Sequence, residues 1–325
     1  MKIRFLFPAL CTLLLVSCGT LNTLSVDQLY PAEVTFPKEI NNIAVVNNSI
    51  PVAEFGTKIL TIGTLEGNGK QLAENLSGLI ADNNYFSQVM ICDSALQQYA
   101  SYKDRLIPKD ELNSLFWDFN SDLILSVDRF SVRTSRDQMY YPGFNHPFPF
   151  IRADVNTLVR LYVPNRNTPM ASVAITDSLF WDLDAGISDD VIMKEAAIVA
   201  ATSATARIAP QWKSIDRLYF DGYSPEIRDG ALYLRENKPH SALEIWEAFY
   251  NRLKKGKLKA RTAYNIALAC ELTGDVPVAL SWLDKAEKFA KDGSDEKRLI
   301  FIYRDVLTKR KSDVVKLNLQ MQKFD

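Results

Sequence analysis

The sequence predicts an α+β fold, a mixed sheet packed with helices, followed by an all-helical domain of repeated helix pairs. Three observations predict it. Up to about residue 220, apolar runs of period two alternate with runs of period 3.6, the patterns of strand and helix. Beyond residue 221 only the helical period persists. There Ala242 and Ala279, each followed four residues later by a large apolar side chain (Trp246, Leu283), mark a repeat of 37 residues.

At the N-terminus, Lys2 and Arg4 precede Phe5–Val16, an apolar run of 12 residues. A spanning helix needs about 20 apolar residues, whereas the core of a signal peptide has roughly 7–15. The run ends in Leu15-Val16-Ser17-Cys18. This stretch resembles the lipobox of bacterial lipoproteins. The resemblance implies that residues 1–17 are a signal peptide. It also implies that the Cys18 thiol carries a diacylglycerol and that the freed amino group is acylated. Two or more acyl chains hold a protein stably on a membrane. Gly19, where an inner-membrane retention signal would place Asp, implies the outer membrane. No acidic run follows Cys18, so the expected location is the periplasmic face. The alternative is an ordinary signal peptide, or a buried helix, with a chance cysteine.

Residues 18–38, with Pro31 and Pro37 and no apolar periodicity, read as a lipidated tether. A first domain is expected at 39–220. Ile43–Val46 is a short buried strand, and 50–65 is irregular. Leu72, Leu76, Leu79 and Ile80 share one face of a helix from about Asn68 to Ala81. "FSQVMICD" is a second strand. "PKDELNSLFWDF" opens a helix with Pro108 and Asp110 near its start. "SDLILSVDRFSVR" is a third strand. "IRADVNTLVRLYV" and "MASVAITDSLFWDL" form a hairpin across "PNRNTP". A small-residue helix follows from Ser188 to Ala209, with Asp189 and Asp190 at the positive end of its dipole. "SIDRLYF" reads as a final edge strand. In "IAVV", "YFSQVMICD", "SDLILSVDRF" and the hairpin before the long helix, this domain resembles the periplasmic α/β domain of curli-secretion-type lipoproteins and TolB-like proteins. Lipoprotein activators of peptidoglycan synthases share it. The likeness is one of element order, with no catalytic signature.

The second domain is expected at 221–325. In "TAYNIALACELTGDVPVALSWLDKAEKFA", Asn265, Ala267, Gly274, Ala279, Leu283 and Ala286 fall where a tetratricopeptide repeat places them. Gly230, Ala242 and Trp246 repeat the small, small and large sites upstream. The basic loop Leu253–Arg261 accounts for the extra length, and 295–319 reads as a degenerate capping unit. The resemblance implies a surface for extended peptides. The alternative is a helical bundle that only buttresses the first domain. The whole chain resembles an uncharacterised lipoprotein family with tetratricopeptide repeats.

Composition excludes several functions. The chain carries 38 basic and 39 acidic residues, so it has no general pull on nucleic acid. "TLEGNGKQ" departs from a P-loop at Thr64 and Gln71, and reads as a glycine-rich helix start. Asp118, Asn120 and Asp122 begin like a calcium loop, but Leu123 replaces the required Gly. Asp182 and Asp184 fail likewise. The two histidines, His146 and His240, have no cysteine near them, so no zinc is expected. Beyond the leader and Cys18, the cysteines are Cys92 and Cys270, either separately buried thiols or a disulfide. No hydrolase motif occurs. No cofactor, metal, small-molecule substrate or enzymatic activity is expected.

"MYYPGFNHPFPF", Met139–Phe150, sets five aromatics and three prolines between two strands. Prolines lower the entropy lost on binding, and aromatics serve as contact anchors. Tyr140, Tyr141, Phe144, His146 and Phe148 are therefore candidate partner-binding residues, unless the rings fold back on the sheet or the repeats. The expected function is that of a lipid-anchored periplasmic scaffold or adaptor holding another envelope protein. The rivals are a regulator of a peptidoglycan synthase and a subunit of a curli-like secretion assembly. A barrel in the latter would have to place Asp128, Arg129, Arg133, Arg152 or Arg160 near lipid.

Overall fold

A computed structural model of the protein describes residues 20–52, 59–97, 104–183 and 186–324. The strands and helices up to residue 221 are β1 (Thr20–Tyr30), β2 (Asn42–Asn47), β3 (Gly63–Glu66), α1 (Gly69–Asn83), β4 (Gln88–Ala95), α2 (Lys109–Asp118), β5 (Leu123–Met139), β6 (Phe148–Tyr162), β7 (Ala171–Asp182), α3 (Asp189–Ile208) and β8 (Gln211–Asp221). Five helices follow: α4 (Pro225–Arg235), α5 (Pro239–Arg252), α6 (Lys257–Leu272), α7 (Val276–Phe289) and α8 (Asp295–Met321). The fold is α+β with an all-helical C-terminal part, as the periodicities predict.

The chain divides into two units. The α+β unit holds the described residues of Leu29–Gln211 and Lys316–Asp325. Its sheet has the order β4-β2-β5-β6-β7, with β3 pairing β5 as well. β2 is parallel to β4 and β5, while β3–β5, β5–β6 and β6–β7 are antiparallel. "IAVV" is apolar throughout because β2 is covered on both faces. Ile43 and Val45 join the core with Leu72, Leu76 and Ile80 of α1 and the alanines of α3. Ala44 and Val46 meet Leu112 and Leu115 of α2 on the other face. Ala196, Ala200 and Ala204 carry no bulk beyond Cβ, so α3 can lie close to the sheet.

β5 shifts register against β6 between Val127 and Arg129. Asp128 occupies this bulge and is buried. Its carboxylate accepts from Asn48 Nδ2 at 2.9 Å, from the Ser126 hydroxyl and from Arg160 Nη1 at 2.6 Å. Burial raises the Asp128 carboxyl above the ordinary range, while the Ser126, Asn48 and Arg160 donors pull it down.

The helical unit holds the described residues of Met1–Gln28 and Trp212–Val315. β1 and β8 form a two-stranded sheet of their own. α6 fastens this ribbon through side chains. The Asn265 amide accepts from the Phe220 N–H and donates to the Phe220 carbonyl, both at 2.8 Å. Asn265 thus satisfies both backbone groups of Phe220 as a neighbouring strand would. Arg217 forks onto Glu271 at 2.8 and 2.7 Å, and Tyr303 donates to the same carboxylate at 2.6 Å. Ala242, Trp246, Ala267, Ala279, Leu283 and Ala286 fill the common core of the helices. Gly230 is required because a Cβ there would collide with the Trp246 indole. Gly274 makes the α6–α7 turn at a φ of +91°, a region open to glycine.

Several expectations need correction. The tether expected at 18–38 contains β1, because a strand without its own periodicity is stabilised by a partner distant in sequence. The edge strand expected from "SIDRLYF" to finish the large sheet is β8, which pairs β1 instead. Within 50–65, expected to be irregular, Gly63–Glu66 pairs the far half of β5. The compact units are not single stretches of chain. β8 belongs to the helical unit from Trp212, and Lys316 onward belongs to the α+β unit. There the Gln320 side chain bonds the backbones of Ala32 and Val34, and Tyr85 donates to the Gln320 carbonyl.

Removing Arg160 while leaving Asp128 should be costly. Arg160→Met is expected to lose about 3–5 kcal/mol in urea unfolding, and adding Asp128→Asn should recover part of it. A loss below about 1 kcal/mol would show that the pair does not hold the bulge. Asn265→Ala strands both backbone groups of Phe220. It should cost about 2–4 kcal/mol by the same measurement, whereas loss of a mere packing contact would leave Gln at this position no better than Ala.

Candidate partner-binding surface

β5 and β6 pair without a break from Arg129↔Leu158 to Met139↔Phe148. The loop left at the tip of this hairpin is therefore 140–147. The ribbon is three strands wide here, because β7 pairs β6 as far as Phe150↔Asp182. Pro149 lies just past the last β7 pair, where its missing N–H leaves no gap in that ladder.

Tyr140, Tyr141 and Phe144 are exposed, at 70%, 50% and 56%. The rings form an edge-packed cluster. Tyr141 and Phe144 lie 5.4 and 5.3 Å from Phe148, and His146 lies 4.7 Å from it. Aromatic pairs of this kind contribute about 0.5–1.5 kcal/mol each beyond burial. Phe148 is thus the hub that holds the loop, and the outer rings keep faces in water. The five predicted residues come together at one place; Tyr141, Phe144, His146 and Phe148 pack on one another, and Tyr140 stands out in solvent.

Three more aromatics complete the surface. Phe180, 58% exposed, lies 5.7 Å from Phe150, and Trp181 donates to Glu195 of α3 at 3.1 Å. A cleft of about 430 Å³ is lined by Met139, Tyr141, Phe148, Phe150, Phe180 and Trp181 among others. Sequence reasoning missed the β7 contribution. The signal was available: counting pairs outward from the "PNRNTP" hairpin places Phe180 opposite Arg152 and Asp182 opposite Phe150. An apolar patch of large rings on a protein surface marks a contact site.

The other motifs resolve into structure. In the P-loop-like segment, the Asn68 side chain caps α1 by accepting from Lys70 N and Gln71 N. Gly69 is there because a Cβ would strike Ser49 and Asn47. Lys70 and Lys194, which border the cleft between the starts of α1 and α3, are paired with Glu74 and Asp190. Asp122 accepts from the backbones of Asn41 and Asn42 and so ties two strand starts together. His146 belongs to the tip and His240 to the start of α5. No group of three or more metal-ligating side chains occurs among the described residues. No helix among them is long and apolar enough to cross a membrane. Cys92 is half-buried and Cys270 buried, both free thiols, and burial pushes the Cys270 thiol up to about 12. Cys18 and Asp184 lie outside the described residues. The repeat-signature side chains Ala242, Trp246, Asn265, Ala267, Ala279, Leu283 and Ala286 are all buried; Asn265 holds β8 and the rest pack helices, so they cannot themselves touch a peptide.

A family model described as a domain of unknown function, DUF8603, matches residues 40–220. A second, described as a domain of unknown function, DUF6340, matches residues 228–309. No curated protein matches the chain. Similar solved structures include the PelC dodecamer from Paraburkholderia phytofirmans, at 11% identity and a TM-score of 0.29, covering 59% of this chain and 99% of that one. A protein described as a neuraminyllactose-binding hemagglutinin homolog from Helicobacter pylori is 12% identical, with a TM-score of 0.33 and coverage of 54% and 86%. A minor lipoprotein from Acinetobacter baumannii is 8% identical, with a TM-score of 0.26 and coverage of 54% and 97%.

Because Tyr141 and Phe144 each pair with Phe148 but are half exposed, the combined replacement of Tyr140, Tyr141 and Phe144 by Ser should lower stability by about 1–3 kcal/mol. Phe148→Ser should cost more, since it removes the hub. Thermal denaturation followed by circular dichroism checks both, and a triple variant that fails to fold would show that the rings serve the core.

Proposed function

The chain belongs to the DUF8603 family, and from that premise we propose that it is a lipid-anchored adaptor of the bacterial cell envelope. It recruits a partner protein through the aromatic tip of the β5–β6–β7 ribbon. The observation that carries this reading is the cluster of exposed rings around Phe148. The tip holds rigid aromatic anchors on a paired ribbon, so little conformational entropy is lost when a partner covers them. The lipobox-like stretch ending at Cys18 supports the anchor, and the leader before it supports export.

The 37-residue spacing and small residues of the helix pairs α4–α5 and α6–α7 resemble tetratricopeptide repeats and support a repeat reading. In this reading the array is a brace for the β1–β8 ribbon. A role beside a peptidoglycan synthase would use the same tip and is the alternative. A barrel-forming secretion subunit draws less support. The face of β5–β7 turned away from the α1 and α3 core carries Arg133, Arg152 and Asp154, with Arg152 bonded to Asp154 at 2.7 Å. Such charges are costly against lipid.

The test is photocrosslinking in intact cells. A crosslinking residue at Tyr141 should trap a discrete protein species that a probe at the exposed Thr308 does not, and Phe144→Ser should abolish it. Equal labelling from both positions would overturn the adaptor reading. Separately, Cys18→Ser should accumulate as an unprocessed precursor, and a variant that is still processed and membrane-bound would overturn the anchor.

A further inference from the structure

We propose that the basic segment Leu253–Arg261, the loop before α6 with the first turns of that helix, docks on an anionic lipid surface beside the Cys18 anchor and orients the helical unit on the bilayer. This inference rests on the lipid-anchor reading above and deepens it. The segment carries Lys254, Lys255, Lys257, Lys259 and Arg261 and no acidic residue.

Covalent geometry and the β1–β8 ribbon bring loop and anchor together. Cys18 is two residues from Thr20, where β1 begins. A chain spans at most about 3.6 Å per residue, so Thr20 stays within about 7 Å of the acylated residue. Asn22 then donates to Asp221, the last residue of β8, at 3.2 Å. Two residues further on, the Tyr223 ring lies 3.7 Å below the Arg261 guanidinium. α6 runs back along β8 from there. Arg261 meets Tyr223, Asn265 meets Phe220, and Glu271 meets Arg217. The start of α6 and the loop before it therefore lie at the same end of the ribbon as Thr20.

That end is dressed for an anionic surface. Lys254, Lys255 and Lys257 are exposed, and Leu21 is 43% exposed. Among the neighbouring carboxylates, Glu226 is paired with Arg252 and Asp221 with Arg235, outside the cluster. Glu296 pairs with Arg261 and Lys257, and Lys259 donates to the Leu253 carbonyl, so Lys254 and Lys255 are the lysines turned to the surface. An acyl anchor combined with a basic cluster is a two-signal membrane contact. The cluster acts only within a Debye length of the surface, about 8–10 Å, and the two-residue link after Cys18 keeps this end of the unit close to it.

The full-length lipidated protein can be reconstituted in vesicles of phosphatidylcholine alone or with about 30 mol % phosphatidylglycerol. Brief acetylation followed by mass spectrometry then reports the reactivity of each lysine. On the anionic vesicles Lys254 and Lys255 should react at least about threefold more slowly than on phosphatidylcholine. The shielding should vanish near 1 M salt, where the Debye length is about 3 Å. Lys309 and Lys311, exposed on α8, should react alike on both. Equal reactivity of Lys254 and Lys255 on the two vesicles, or equal shielding of all four lysines, overturns the loop proposal. Intact mass and vesicle flotation test the anchor independently. A chain without acyl chains that fails to float overturns the anchor reading, whereas an acylated, floating chain with unshielded lysines overturns the loop alone.

Discussion

Asp128 places an ionisable group in the interior of β5, the strand that pairs β2, β3 and β6. A carboxylate in that position is tolerable only with donors on every side. Asn48 comes from just beyond β2, Ser126 from β5 itself and Arg160 from β6. The same Arg160 also donates to the Asp104 carbonyl at 3.1 Å. One buried charge thus ties together three strands and the segment before α2. It also sits at the register shift that sets how the two halves of β5 face the core. Before the bulge, Leu123, Leu125 and Val127 point to the α1 and α3 side. After it, Phe130 and Val132 do. Without the extra residue the second half of β5 would turn its polar side inward.

The bulge in turn explains why the ribbon can extend so far. Past Arg129, β5 continues in register with β6 to the tip, with apolar residues still on the covered face. The aromatic residues lie on the opposite face, where Phe180 stands across from Arg152 and turned away from α1 and α3. There Phe150 packs on Phe180 at 5.7 Å, and Phe148 gathers Tyr141, Phe144 and His146. The shape of this surface is held by rings that are themselves partly wet.

In the helical unit the comparable role falls to Asn265. A two-stranded sheet is marginal on its own. Here β8 has β1 on one side and a side-chain amide on the other, supported by the Arg217–Glu271–Tyr303 network. The repeat motif would place Asn265 simply as a helix-packing residue. Its observed partners are backbone groups of a strand 45 positions away, and this is what holds the first strand, and on the proposed reading the anchor, beside the basic loop.

The sequence by itself determined the elements whose partners are local or whose burial is complete. "IAVV", the leucine face of α1, the alanines of α3 and the spacing of Gly230, Ala242, Gly274 and Ala279 are each legible, because period and residue size record which face is covered. The exposed tip was legible as composition, since five aromatics and three prolines have no place in a buried strand pair. Only the tertiary structure decided the rest. β1 carries no clear period, and its strand character comes from β8, nearly two hundred residues later. β8 looks like an edge of the large sheet, yet Asn265 claims it for the helices. Phe180 and Trp181 join the tip through register, which a pattern on one strand does not reveal. Asp128 and Arg160 read as surface charges until the fold closes around them, because hydrogen-bond satisfaction depends on groups that meet only in three dimensions.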